Sequence, residues 1–289
     1  RQVRKLMKEV TGQWTSQVQD FLPPEVRDRC RLLELPQALN QAHFPDDAAL
    51  KDKARVRLAF DELLLLQLGV LSKKRVWQKG QPGNPIGTDQ PVLDSFLHSL
   101  PFTLTAAQKK VLEELLADLE KPVPMSRLLQ GDVGSGKTIV ATAALLMAAA
   151  AANQGAFMAP TEILAEQHFN TITQLLSRAG RAEAIEDNIN SYTGILPRPL
   201  TVALLIGGIK QAKKREIQQG IMDGNIDIAV GTHALIQKDV EFRNLGLVVV
   251  DEQHRFGVMQ RSELRQKGFN PHVLAMTATP IPRTLALTL

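Results

Sequence analysis

Residues Gly131 to Thr138 read GDVGSGKT, a glycine-rich loop closed by lysine and threonine, set between an apolar stretch and a long helix-forming run. Gly131, Gly134 and Gly136 let successive backbone NH groups turn toward one point, and the positive end of the following helix adds to the same field. A row of phosphate oxygens suits such a cradle. Lys137 adds a point charge for the outer phosphates. The Thr138 hydroxyl suits the inner shell of Mg2+, which prefers oxygen donors and phosphate bridging. Asp132, Val133 and Ser135 complete the loop, and the whole predicts a triphosphate site.

A second motif supplies what that site lacks. In LGLVVVDEQH, residues 245–254, a buried apolar strand ends abruptly in two adjacent carboxylates. Asp251 is placed to hold Mg2+ through its water shell, completing what Thr138 begins. Glu252 is placed to orient or deprotonate an attacking water. Alone, the pair could be an ordinary acidic strand end; beside the phosphate loop it acquires a chemical meaning.

Positioning these groups requires strands that stop where the loops begin. Short apolar runs near residues 127–130, 156–159, 202–206, 226–230, 247–250 and 273–276 alternate with helical intervals at 138–152, 162–178 and 211–223. This is the pattern of crossover units building a parallel sheet, so the fold class is α/β. In open sheets ligands sit beyond the carboxyl ends of the strands, and motifs that follow strands should converge there.

Upstream, residues 1–79 read as helical, with breaks at Pro23, Pro24, Pro36 and Pro45 and one long helix over 48–71. Its leucine-dense end, FDELLLLQLGVL, predicts burial. The polar passage QKGQPGNPIGTDQP, 78–91, reads as a flexible linker or exposed loop. The expected division is therefore a helical segment at 1–79, a linker at 80–101 and an α/β domain at 102–289. Residues 180–200 read as an exposed insertion.

The chain has 289 residues, 44% of them hydrophobic, enough for a full core. A net charge of +4 permits a polyanionic partner without demanding one. The single Cys30 cannot form an internal disulfide, and no Cys/His cluster has zinc spacing. Both favour a reducing, cytoplasmic setting with Cys30 a bystander. The longest apolar run, 139–152, is short and alanine-rich for a membrane span and reads as a buried helix. The N-terminal residues lack a secretory signal's apolar core, so no membrane partner is expected.

The tetrad DEQH after a strand resembles motif II of superfamily 2 helicases. PTEILAEQH (160–168), VGTHALIQ (230–237), DEQHRFGVMQR (251–261) and MTATPIPRT (276–284) make the chain similar to the RecG family of bacterial branch-migration DNA helicases, over the first RecA-like lobe at 102–289. Transcription-repair coupling translocases of the Mfd type share most of these motifs, and the PriA type is more distant. Gln253 and the run ARVRLAFDELLLLQ (54–67) bring the chain nearer to the RecG type.

That resemblance implies ATP and Mg2+ as cofactors, with Lys137, Asp251, Glu252, Gln253 and His254 as the catalytic set. Gln108, in FTLTAAQ, would read the adenine edge, since a side-chain amide both donates and accepts. Thr161, Thr232 and His233 would touch the DNA backbone, giving sequence-independent, salt-sensitive binding. Gly207 and Gly208 would permit close approach of that backbone. Thr277 and Thr279 would be coupling hydroxyls toward Asp251 and His254. His168 is expected to be structural or solvent-facing. The basic runs KKRVWQK (73–79) and KQAKKR (210–215) read first as solvated faces, and as nucleic-acid contacts second.

Forked or branched duplex DNA is the implied partner of a monomer. A second RecA-like lobe, supplying an arginine finger, and a wedge domain are expected in the parent protein beyond this chain. Two alternatives stay open: an Mfd-type translocase, and a nucleotide-dependent DNA-binding module without turnover.

Overall fold

The computed structural model describes residues 2–80, 83–237, 239–251, 268 and 270–278. They fall into two compact units, divided between Val76 and Trp77.

The first unit is helical: α1 (Gln2–Trp14), α2 (Pro24–Arg29), α3 (Leu35–His43) and most of α4 (Ala48–Gly80). α2 and α3 each carry proline in the first turn, where no backbone NH partner is lost. Its centre is polar. Arg57 is fully buried; its guanidinium donates to both Asp20 oxygens at 2.7 and 2.6 Å, to Asp61 at 2.9 Å and to the Leu33 carbonyl at 2.6 Å. These bonds hold the Asp20 carboxyl well below its ordinary range and raise Arg57. Removing one member of such a buried group typically costs about 3–5 kcal/mol. The leucine-dense stretch, expected to be buried at the end of a helix over 48–71, lies in the middle of α4, and Leu63, Leu65, Leu66 and Leu68 are all exposed. Consecutive leucines point around every side of a helix, so a solid run gives no single face to cover.

The second unit is built on an eight-stranded sheet: β1 (Ser126–Gln130), β2 (Gln154–Met158), β3 (Arg181–Ile185), β4 (Ile189–Thr193), β5 (Leu200–Leu205), β6 (Ile228–Gly231), β7 (Leu245–Val250) and β8 (His272–Thr277). The spatial order is β1-β8-β7-β2-β6-β5-β4-β3. From β1 to β5 all pairings are parallel; β4 and β3 close that side antiparallel. Helices α5 (Gln90–Ser99), α6 (Ala106–Leu119), α7 (Lys137–Ala150), α8 (Glu162–Ala179) and α9 (Gln211–Asp223) complete the expected α/β architecture.

α7 is the buried helix predicted for the apolar run, with residues 140–149 all in the interior. Its alanines allow close packing, and Gly155 of β2 takes part: a Cβ there would lie 2.3 Å from the Leu145 side chain. Among the described residues no helix is long and apolar enough to cross a membrane. Cys30 is exposed.

Two further expectations change. The supposed linker is stitched to the core: Gly83 NH donates to Pro122 O at 3.0 Å and Ile86 NH to Leu119 O at 2.8 Å, with Ile86 buried. α5 follows, capped by Asp89, and buries Leu93 and Phe96. Thinly spaced apolar residues in a polar stretch suffice when each finds a core position. Residues 180–200, read as an exposed insertion, hold the β3–β4 hairpin. Asn190 and Tyr192 alternate into the interior, Tyr192 donates to the Thr173 carbonyl at 3.2 Å, and Ile195 and Leu196 are buried.

Candidate functional site

The parallel strands β1, β8, β7, β2, β6 and β5 all end on one edge, and the candidate residues follow those ends. After β1 comes the glycine loop. Gly134 and Gly136 take φ of 80° and 82°, the left-handed region that glycine enters without a Cβ penalty, and Gly136 is the N-cap of α7. Ser135 NH donates to the Asp132 carbonyl at 3.1 Å, and Val133 stands exposed at the loop tip. The Lys137 ammonium folds back on the Gly131 and Asp132 carbonyls at 2.7 and 2.8 Å. Gly131 NH donates to the Thr277 carbonyl at 3.3 Å, which ties the loop to the end of β8.

Gln108 braces the loop from outside. Its Nε2 donates to the Ser135 carbonyl at 2.8 Å, while its Oε1 accepts from Thr105 NH at 2.9 Å. Thr105 Oγ1 in turn accepts from Gln108 NH, forming a capping box at the start of α6. Both ends of the amide are therefore engaged within the chain.

After β7 comes Asp251, buried, with its NH on the Met158 carbonyl at 2.9 Å. Its Oδ2 lies 2.7 Å from His168 Nε2, and His168 Nδ1 lies 3.5 Å from Thr138 Oγ1. The two oxygen groups expected to share a cation are thus joined by one imidazole. Their hard oxygen donors fit Mg2+. Among the described residues no group of three or more His, Cys, Asp or Glu could hold a metal, so phosphate oxygens and water would complete the shell, as Mg2+ commonly requires. Of the two expectations for His168, solvent-facing is corrected: its side chain is only 14% exposed, and its partner lies 83 residues away in sequence. No local pattern could have paired them.

On the other side of β7, Thr161 follows β2 and caps α8, its hydroxyl accepting from Leu164 NH at 3.3 Å. The neighbouring Glu162 carboxylate accepts from Gly207 NH at 2.9 Å, so the loop after β5 meets the start of α8. Thr232 is buried after β6, and His233 is exposed in the short 3-10 turn that follows. In the second basic run, Lys213 pairs with Glu186 and Glu216, and Lys214 donates to Gln237. Thr277 is buried at the end of β8. Glu252, Gln253, His254 and Thr279 lie outside the described residues.

The chain matches the DEAD/DEAH box helicase family over residues 105–288. It is 49% identical to the ATP-dependent DNA helicase RecG of Synechocystis sp. over 275 residues, covering 95% of this chain and 31% of that protein. The RecG of Bacillus subtilis is 42% identical over 288 residues, covering 100% of this chain and 39% of that one. The chain therefore spans about a third of the length of these curated relatives. A solved structure of RecG bound to a three-way DNA junction shares 40% identity at a TM-score of 0.76, over 99% of this chain and 36% of that chain. The DEAD-box helicase Mss116 bound to ssRNA and UDP-BeF, 16% identical over 70% of this chain and 40% of that one, with a TM-score of 0.52, shares the fold alone. With a glycine loop after one strand and Asp251 after another on a common edge, and the family matched across most of its length, this chain belongs to the DEAD/DEAH box helicases.

Proposed function

We propose that the chain is the ATP-binding first motor lobe of a RecG-like DNA helicase or translocase, which couples ATP hydrolysis to remodelling of forked and branched DNA in the cytoplasm. Residues 102–289 form the RecA-like lobe in this reading, and residues 1–79 the connector before it. The observation that carries it is the approach of Thr138 and Asp251, from two different strand ends, to one imidazole beside the phosphate loop. The relatives named ATP-dependent DNA helicase RecG, and the related structure bound to a three-way junction, support the choice of substrate.

Each residue then has a task. The amides of the glycine loop and the N-terminus of α7 receive the phosphates. Lys137 exchanges its two carbonyl partners for phosphate oxygens, and Thr138 and Asp251 hold Mg2+. When bound, Mg2+ supplies charge neutralisation on the transferring phosphoryl group. Glu252 orients or deprotonates the attacking water, Gln253 and His254 sense the nucleotide, and Thr277 and Thr279 pass the change on. Gln108 reads the adenine by releasing one of its internal bonds. Thr161, Thr232 and His233 meet the DNA backbone, as a monomer joined to a second lobe and a wedge domain of the parent protein.

Titration calorimetry with ATP and Mg2+ tests this reading. The wild-type chain should bind, and Lys137→Ala should weaken binding at least tenfold, since hydrogen bonds to charged groups are worth about 1.5–3 kcal/mol each. Unchanged binding would mean the loop has been misread. In a protein that includes the second lobe, Glu252→Gln should keep nucleotide binding and lose DNA-stimulated turnover; retained turnover would favour the non-enzymatic module.

A further inference from the structure

His168 sits two turns into α8, where three groups from other elements enclose its ring. Phe157 of β2 packs against it, with ring centroids 4.5 Å apart at 42°. Asp251 Oδ2 meets Nε2 at 2.7 Å, and Thr138 Oγ1 meets Nδ1 at 3.5 Å. The carboxylate partner sets the direction of the first contact and, for a neutral ring, of the second as well. An ionised carboxylate only accepts, so Nε2 carries the hydrogen that points to Asp251. In the neutral ring Nδ1 is then the acceptor, and the Thr138 hydroxyl directs its hydrogen there.

A hydroxyl that binds a cation must turn a lone pair toward it and its hydrogen away. Nδ1 gives that hydrogen a destination. The bond from Nε2 likewise occupies one oxygen of Asp251 and leaves the other for the cation's shell. We propose that His168 is a positioning residue of the triphosphate site: through its two ring nitrogens it holds Thr138 and Asp251 so that both offer oxygen lone pairs to one divalent cation. The proposal rests on the reading of Thr138 and Asp251 as the Mg2+ pair, and deepens it.

Mn2+, which electron paramagnetic resonance detects directly, replaces Mg2+ in the test, and a non-hydrolysable ATP analogue is bound to the full chain. His168→Phe keeps a ring against Phe157 and removes both polar contacts, and His168→Leu removes them with a smaller side chain. His168→Gln restores a donor toward Asp251. Either apolar variant should lower Mn2+ affinity of the nucleotide complex by about 10- to 100-fold, the usual effect of losing an outer-shell partner. Affinity for the analogue in EDTA should stay at the wild-type value, and His168→Gln should recover part of the Mn2+ loss. Unchanged Mn2+ affinity in a folded apolar variant overturns the proposal. So does an equal loss of metal-free analogue binding, which marks a packing role. Failure of the wild-type chain to bind the analogue needs no variant to detect, and overturns the nucleotide reading from which the proposal starts.

Discussion

The sheet of the second unit has two edges that are built in opposite ways. At the amino ends of the strands, polar side chains bond to backbone that the fold already fixes. Gln154 donates to the Ile221 and Ile226 carbonyls, both at 2.8 Å, and accepts from Asn244 NH at 3.0 Å. His272 accepts from Met125 NH at 3.0 Å and donates to the Asn84 carbonyl at 2.8 Å. Asp227 accepts from Thr201 NH and pairs with Arg198 at 2.6 Å, although burial pushes its carboxyl above the ordinary value. At the carboxyl ends stand left-handed glycines, an ammonium resting on its own loop, and hydroxyls at helix starts. The first edge is a set of staples; the second holds groups whose present partners a ligand can replace. A cavity of about 300 Å³ lies at the amino edge, lined in part by Asn153, Arg198, Asp227 and Arg243. Its size does not mark the chemistry, because its charged lining is already bonded: Arg198 also donates to the Ala149 carbonyl, and Arg243 to that of Asp223.

Substitutions at the amino edge should therefore move stability and leave ligand affinity alone. Gln154→Ala removes two buried hydrogen bonds and a partly buried third, and is expected to cost about 3 kcal/mol. For a unit of this size that lowers the melting temperature by roughly 6–12 °C. Differential scanning calorimetry reads it, and nucleotide affinity of the folded variant should match wild type. A loss of affinity without a loss of stability would erase the distinction between the edges.

The next effect is smaller and depends on pH. Burial lowers His272 below the ordinary histidine value of 6.5, and its two bonds fit the neutral ring. A depressed folded-state value means the unfolded chain takes the proton first. Stability from this group is thus complete above about pH 6.5 and is lost as pH falls toward the folded-state value. Between pH 6.5 and 5 the loss is at most about 2 kcal/mol. His272→Gln, whose amide can accept and donate in the same places, should flatten that part of the melting profile. An unaltered pH profile would remove His272 from the staples.

How much of this was legible in sequence follows the range of the interaction. The glycine loop and α7 are local, so GDVGSGKT and the alanine run after it gave loop, cap and buried helix directly. Five of the six parallel strands showed as apolar runs because they are buried on both faces along nearly their whole length; β1, at the sheet edge, keeps Arg127 and Gln130 exposed. β3 and β4 escaped because their alternation covers only five residues each and belongs to an edge hairpin. Gln108 was partly legible: Thr105 and Gln108 have capping-box spacing, a local role that the family resemblance overshadowed. His168 was illegible, since its pairing with Asp251 spans 83 residues and arises only when the fold brings α8 to the loop after β7. Gln154 and His272 were silent for the same reason.

The smallest expected effect separates two kinds of group within the carboxyl edge itself. Lys137 is a cation, whereas Thr161 and Thr232 offer only neutral hydroxyls and the amides around them. If those threonines meet DNA phosphates, each loses a neutral hydrogen bond on conversion to valine, worth about 0.5–1.5 kcal/mol or roughly a two- to tenfold weaker affinity. Thr161→Val also removes the α8 cap, about 1 kcal/mol of stability, so melting must be measured beside binding. A neutral donor displaces no counterion. The slope of log affinity against log salt for a forked duplex should therefore stay as in wild type while the affinity itself falls, in contrast to the loss of a lysine or arginine contact. Fluorescence anisotropy across a salt series gives both quantities. Unchanged affinity would take the threonines off the DNA path, and a shallower slope would mean that a cation, displaced along with α8, had been making the contact instead.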